Sequence, residues 1–250
     1  MEPEVYDEMF ALEERHWWFR ARRRIVLHLL RRFVTHTNGR RPRLADLGCG
    51  CGANLAAFRD HYDAWGADAN AAAAAYARHR VGPRICLAEL PSSIPFAPAS
   101  FDAVVMTDVL EHIENDRASA ATAVDLLRPG GVFIATVPAG QWLYARRDAA
   151  HHHKRRYSRR ALASLMDGLP ARVELLSFCN TFLFPPAAAV RVASRLLPSH
   201  QSTDLKVPPG PMNKALEALY ATERHVLGRF PLPVGLSLIL VARRLDSSPG

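Results

Sequence analysis

The chain has 250 residues, 49% apolar and 22% charged, which suits one packed domain with an insertion and excludes a disordered or low-complexity segment. No apolar run approaches the roughly 20 residues of a membrane span. Four scattered cysteines (Cys49, Cys51, Cys86, Cys179) do not make a disulfide framework. The net charge of +8 points to an anionic partner (nucleic acid, a membrane surface or an acidic substrate) or to a solvated basic face.

Residues 1–42 read as a basic helical preface, or cap. The acidic opening, Met1-Glu-Pro-Glu-Val-Tyr-Asp-Glu, has no apolar h-region, so a cytoplasmic protein is expected. Ten arginines and no lysine stand between Arg15 and Arg43. Among them lies His16-Trp17-Trp18-Phe19. Adjacent tryptophans cannot share one helix face. One is expected to pack inward while Trp18 covers a ligand or substrate, or the pair meets a second subunit, or both pin the preface to the domain.

From Arg43 the chain alternates strand and helix. Strands are expected at 43–48, 64–68, 84–88, 101–107 and 132–137, with helices from about 53, over 71–80 and over 117–127, the last ended by Pro129-Gly130-Gly131. The unbroken apolar run Ala103-Val-Val-Met106 suits a strand buried on both faces. Such alternation predicts an α/β fold: a Rossmann-like, doubly wound, seven-stranded, mostly parallel sheet. A helix at 158–166 and a strand at 173–179 complete a core over 43–180. Residues 181–235 form a proline-rich insertion with helices at about 187–197 and 211–227, and 236–250 hold the last strand and the tail.

The chemistry starts at Asp46-Leu-Gly48-Cys49-Gly50-Cys51-Gly52, at the exit of the first strand. Glycines there permit a tight turn and close approach of a ligand to backbone N–H groups at a helix start. Asp68 ends the second strand, where a carboxylate can take both hydroxyls of a ribose. A nucleoside-containing ligand follows. The third glycine comes one residue too early for the dinucleotide pattern G-x-G-x-x-G. Cys49 and Cys51 lack a second cysteine or histidine pair, so they read as small residues filling the turn.

At these residues the chain resembles the class I S-adenosylmethionine-dependent methyltransferases. The resemblance runs on through Ile94-Pro-Phe96, Ser100-Phe-Asp102, Asp108-Val-Leu-Glu-His112 and Leu127-Arg-Pro-Gly-Gly131, covering about 43–139. His16-Trp-Trp-Phe-Arg-Ala-Arg-Arg23, Val137-Pro-Ala139, Asp148 and His153-Lys-Arg-Arg-Tyr157 are similar to a bacterial subgroup near the ubiquinone-biosynthesis type of small-molecule methyltransferase. The resemblance implies S-adenosylmethionine as cofactor and S-adenosylhomocysteine as product. Gly48, Cys49, Gly50 and Gly52 would pass under its amino-acid part, with Asp46 orienting the turn or holding the amino group. Asp68 and Ala69 would meet the ribose, Ala88, Glu89 and Leu90 the adenine, and Arg22 the carboxylate, with Asp108 beside the pocket.

Asp108, Glu111 and His112 would share one face of a helical turn. Three readings stay open. His112 is the base that takes a proton from the methyl acceptor; the triplet holds a divalent cation, as the similar ubiquinone O-methyltransferase motif suggests; or it is structural. Methyl transfer from a sulfonium needs no metal. His153, Arg156 and Tyr157, with Trp18, are the expected substrate-binding residues. Residues 181–235 could be a lid that sets substrate specificity, a homodimer interface or a peripheral membrane contact; Arg191 and Arg195 would share a polar stripe beside Val190 and Leu197. The leading function is methylation of a small or lipid-like molecule. RNA methylation steered by the basic patches ranks second, because Asp108-Val-Leu-Glu111 stands where base N-methyltransferases often carry N-P-P-[YF]. A non-catalytic cofactor-binding or membrane-peripheral protein ranks third.

Overall fold

The computed structural model describes residues 3–35, 39–189 and 206–246. Its centre is a seven-stranded sheet: β1 (Arg43–Leu47), β2 (Asp63–Asp68), β3 (Ile85–Leu87), β4 (Phe101–Thr107), β5 (Leu127–Pro138), β6 (Ala171–Cys179) and β7 (Ser237–Arg244). The order is β3-β2-β1-β4-β5-β7-β6. The first five strands pair in parallel; β7 runs antiparallel to both β5 and β6. The order reverses between β1 and β4, and in open α/β sheets ligands bind beyond the carboxyl ends of the strands at such a crevice.

Eight α-helices lie wholly within the described residues: α1 (Pro3–Arg15), α2 (Trp17–Phe33), α3 (Ala53–Phe58), α4 (Ala71–Val81), α5 (Asp116–Leu126), α6 (Arg146–Ala150), α7 (Arg159–Ser164) and α8 (Gly210–Thr222). Local chemistry starts them. Asn70 accepts from the N–H groups of Ala72 (2.9 Å) and Ala73 (3.1 Å) at the head of α4, while Asn115 and Ser158 cap α5 and α7. Gly82, at φ 84°, stops α4.

Both sheet faces are covered. On one, Ile25, Val26, Leu29 and Leu30 of α2 pack with Leu44, Val105, Ile134 and Ile239. On the other, Ala120, Ala123 and Val124 of α5 pack with Val104, Phe133 and Leu240. The apolar stripe of α2 is therefore a layer of the core, so residues 1–42 do more than cap it. Arg20 and Arg24 reach Glu217 of α8 (2.7 and 2.9 Å), and Asn213 bonds the Trp17 N–H (3.0 Å) and the Arg15 carbonyl (2.8 Å). The described part of the insertion is thus clamped onto α2.

Three boundaries differ from expectation. The helix expected to reach Leu127 ends at Leu126, and Leu127–Pro138 is one long strand through the Pro-Gly-Gly segment, with Gly130 at φ 76° absorbing the irregular start. The preface helix is broken at His16, whose Nδ1 accepts from the Trp18 N–H (3.2 Å) and so restarts the chain as α2. The helix expected over 211–227 is α-helical to Thr222 and continues as a 3-10 turn over Glu223–His225, with the Glu223 carboxylate accepting from the N–H groups of Asn180 (2.7 Å), Thr181 (2.6 Å) and Phe182 (3.3 Å). Residues 184–189 are helical. The rest of the helix expected at 187–197, with Arg191, Arg195, Val190 and Leu197, lies outside the described residues.

Candidate active site

The glycine turn joins β1 to α3 at the crevice. Gly48, Gly50 and Gly52 all have positive φ (75°, 55° and 84°). At Gly48 a Cβ would stand 2.5 Å from Val109, and at Gly52 it would stand 3.0 Å from the Ala77 backbone. Larger residues are excluded by neighbours as well as by φ. Asp68 fastens the turn from the tip of β2: it accepts from Gly50 N (2.8 Å) and Asn70 N (2.9 Å). Burial pushes its carboxyl up and those two bonds push it back down.

A residue with no signal in the sequence completes this loop. Glu13 of α1 accepts from Cys51 N (3.3 Å) and Ala53 N (3.2 Å), the free donors at the start of α3. Arg80 holds it at 2.8 Å while also donating to the Cys51 and Phe10 carbonyls (2.7 Å each) and lying 3.9 Å over the Phe10 ring. Tyr6 is close enough to Asp68 for that charge to raise its pKa further, after burial. Helix α1 therefore lies across the turn. Glu13→Ala should loosen this contact by about 1–2 kcal/mol, the worth of a charge-assisted pair. Hydrogen exchange of residues 6–15 reads it; unchanged protection would refute the role.

Below the turn lies a cluster of buried charge. Asp46 is fully buried and neither carboxylate oxygen accepts a hydrogen bond from the described residues. Burial lifts its pKa to about 7 against the pull of Arg22. Arg22 is itself buried, forms an ion pair with Asp108, and lies 4.4 Å over the Trp18 ring. Asp108 sits at φ 55° just past β4. Glu111 is fully buried with both oxygens unpartnered among the described residues, and burial lifts it to about 8.

The turn after β4 (Leu110–His112) brings the chain to the segment after β5. The rings of His112 and His153 meet edge to face at 4.8 Å. Burial, then neighbouring His153, pushes His112 down to about 4, so its imidazole is neutral at pH 7. His153 Nδ1 bonds Asp148 at 3.0 Å. Arg156 grips the same carboxylate through Nε (2.8 Å) and Nη2 (2.7 Å), and donates to the Ala139 carbonyl (3.1 Å). The Tyr157 hydroxyl donates to Asp116 (2.6 Å), with the Leu110 carbonyl 3.2 Å from the same oxygen.

Of the expected substrate contacts, Arg156 and Tyr157 are buried and their polar atoms are engaged inside the protein, where they hold the loop together. His153 remains partly exposed beside His112. Trp18 lies against Arg22 and the core. Asp108 departs from the expected triplet because Arg22 takes it, and His153 joins Glu111 and His112 instead. Ala88 is fixed through its N–H to the Asp68 carbonyl (2.9 Å), while Ala69 and Glu89 are exposed and Leu90 is half-buried at the same edge. Burial raises the Cys51 thiol to about 12 and Cys49 well above its usual range, which suits small, inert residues in the turn.

Residues 45–135 match the family model for a methyltransferase domain. No curated protein matches the chain. Solved structures share the fold at low identity. An S-adenosylmethionine-dependent methyltransferase of Thermotoga maritima superposes with a TM-score of 0.59 at 14% identity, over 96% of this chain and 95% of that one. A methyltransferase in complex with the Haloferax volcanii activator Trm112 gives 0.58 at 17%, over 94% and 92%. The geranyl diphosphate C-methyltransferase of Streptomyces coelicolor, bound to Mg2+, geranyl diphosphate and S-adenosyl-L-homocysteine, gives 0.55 at 15%, over 86% and 76%.

Proposed function

We propose that this chain is a class I S-adenosylmethionine-dependent methyltransferase and that it methylates a small, largely apolar or lipid-like acceptor that enters beside His112 and His153. The residues suit the cofactor. Gly48 and Gly52 leave no room for a Cβ, so the backbone alone forms the turn; Asp68 ends β2 beside it, where a carboxylate can take ribose hydroxyls; and Asp46 is a buried carboxylate lacking a hydrogen-bond partner among the described residues, which a cationic amino group would supply. Arg22, paired with Asp108, is the cationic group nearest the turn, while the Cys51 and Ala53 N–H groups at the α3 start are taken by Glu13. The cofactor brings a methyl group already activated on a sulfonium. What the protein adds is an acceptor lone pair held in line, and positioning of this kind lowers barriers by several kcal/mol.

The observation that carries the acceptor class is the aromatic rim. Trp142, 53% exposed, follows β5 and meets Phe184 edge-on at 6.1 Å, with Phe182 51% exposed nearby in sequence. An exposed aromatic group at the carboxyl edge of the sheet suits an apolar body. On the fold of this chain, the Streptomyces coelicolor enzyme is a precedent for an isoprenoid acceptor. For His112 as base, the low pKa leaves a neutral imidazole with weak pull on a proton.

RNA methylation is less favoured because arginines of both basic stretches are engaged within the fold: Arg20 and Arg24 with Glu217, Arg40 with Asp102, Arg155 with Asp116 and Arg156 with Asp148. Titration of S-adenosylhomocysteine into wild type and Asp68→Ala tests the site: affinity should fall roughly 5- to 150-fold, about 1–3 kcal/mol. Equal affinities would refute the ribose assignment. Labelled methyl from the cofactor should pass into a lipid-extract fraction; label in RNA instead would overturn the acceptor class.

A further inference from the structure

We propose that Glu111, His112 and His153 form a binding site for one divalent cation of the zinc, cobalt or manganese kind. Each offers a ligand atom, and these atoms lie within 4.8 Å of one another. A cation at about 2.1 Å from each would draw them to about 3.4 Å apart, a closure that rotation of two imidazoles supplies.

Three independent features point to a ligand here. Glu111 is fully buried, yet neither of its oxygens has a hydrogen-bond partner among the described residues; an isolated buried carboxylate is costly until a cation meets it. His153 donates through Nδ1 to Asp148, which leaves Nε2 outward with its lone pair, the carboxylate–histidine arrangement that orients metal ligands. Asp148 is in turn fixed by Arg156. Finally, the His112 and His153 rings meet edge to face at 4.8 Å beside the Glu111 carboxylate, so the three side chains lie together. Two imidazoles and one carboxylate suit borderline metals better than magnesium or calcium, which prefer all-oxygen sites. His112 and His153 are only partly buried, so open coordination positions face the mouth, where an acceptor hydroxyl or phosphate oxygen could bind. That last role rests on the proposed methyl transfer; occupancy by the cation does not.

The test uses the full chain stripped with chelator. Cobalt(II) chloride is titrated with visible absorption as readout, and zinc chloride by calorimetry, with S-adenosylhomocysteine titrated in parallel. One equivalent should bind. His153→Ala and Glu111→Gln should abolish stoichiometric binding, and Asp148→Asn should weaken it about 10- to 100-fold. His151→Ala should leave it intact. Should Glu111→Gln fail to fold, the partly exposed His153 decides alone. Absence of a stoichiometric cation in protein that binds S-adenosylhomocysteine overturns the site, as does cobalt binding that survives His153→Ala. Cobalt bound without S-adenosylhomocysteine would leave the site standing and overturn the functional reading.

Discussion

Asp46→Asn should stabilise the cofactor-free protein at pH 8 and impair cofactor binding. The side chain is fully buried and its oxygens accept no hydrogen bond from the described residues. Its pKa rises from 3.8 to about 7, burial outweighing the nearby Arg22. Between about pH 4 and pH 7 the folded chain therefore holds a proton that the unfolded chain has released. Stability falls as pH rises through that window and stays lower above it. A shift of about three units corresponds to on the order of 4 kcal/mol. Asparagine removes the charge but still buries an amide, at a cost of about 1–3 kcal/mol, so the net gain at pH 8 is on the order of 1–3 kcal/mol. For a chain of this size each kcal/mol moves Tm by roughly 2–4 °C. Near pH 4 the advantage should vanish, since Asp46 is then protonated in the fold. Cofactor affinity should move the other way, falling roughly tenfold or more as the amino group loses its carboxylate. Thermal scans from pH 4 to 8 with paired cofactor titrations check both; a stability difference that ignores pH would refute the argument.

Part of the site was legible in the sequence. The glycine turn and Asp68 are constrained by the backbone, through positive φ, close neighbours at Gly48 and Gly52 and the Asp68 bond to Gly50 N, so residue type and spacing report them. The strands were legible for a related reason: a parallel sheet covered on both faces writes continuous apolar runs, as in β4. Long-range polar contacts leave no such trace. Glu13 reaches N–H groups 38 and 40 residues away, and nothing in Leu12-Glu13-Glu14 distinguishes the carboxylate that turns inward from the one that stays at the surface. The same holds for Glu223, whose carboxylate accepts from backbone N–H groups more than 40 residues upstream.

Direction within a loop was the other gap. Topology places His153, Arg156 and Tyr157 near the carboxyl edge of the sheet, but a loop has no period to say which side chains face the mouth. Here Arg156 and Tyr157 turn inward and His153 is left at the opening, beside His112. Asp108 shows the same effect on the expected triplet. It stands at positive φ after β4, off any helical face, and Arg22 from the preface captures it. Helical spacing was the wrong ruler for a chain that makes only a short 3-10 turn.

Arg156→Met should be the most damaging single change outside the cofactor pocket, costing about 3–5 kcal/mol of stability. Its guanidinium is buried, grips Asp148 through two nitrogens and donates to the Ala139 carbonyl at the end of β5. Methionine fills similar space but leaves the Asp148 carboxylate, 1% exposed, without its principal cation. The arginine and the His153 hydrogen bond together hold that carboxyl well below its usual range, so losing one makes burial of the charge expensive. Asp148→Asn combined with Arg156→Met should cost less than the sum of the single changes, because no unpaired charge then remains. Chemical denaturation of the two single variants and the double measures the coupling. An additive result would mean that Asp148 draws its stability from elsewhere. Function should follow stability here: with Asp148 unsettled, His153 loses its orienting partner. Turnover, or cobalt binding at Glu111, His112 and His153, should then fall even at temperatures where the variant remains folded and still binds S-adenosylhomocysteine.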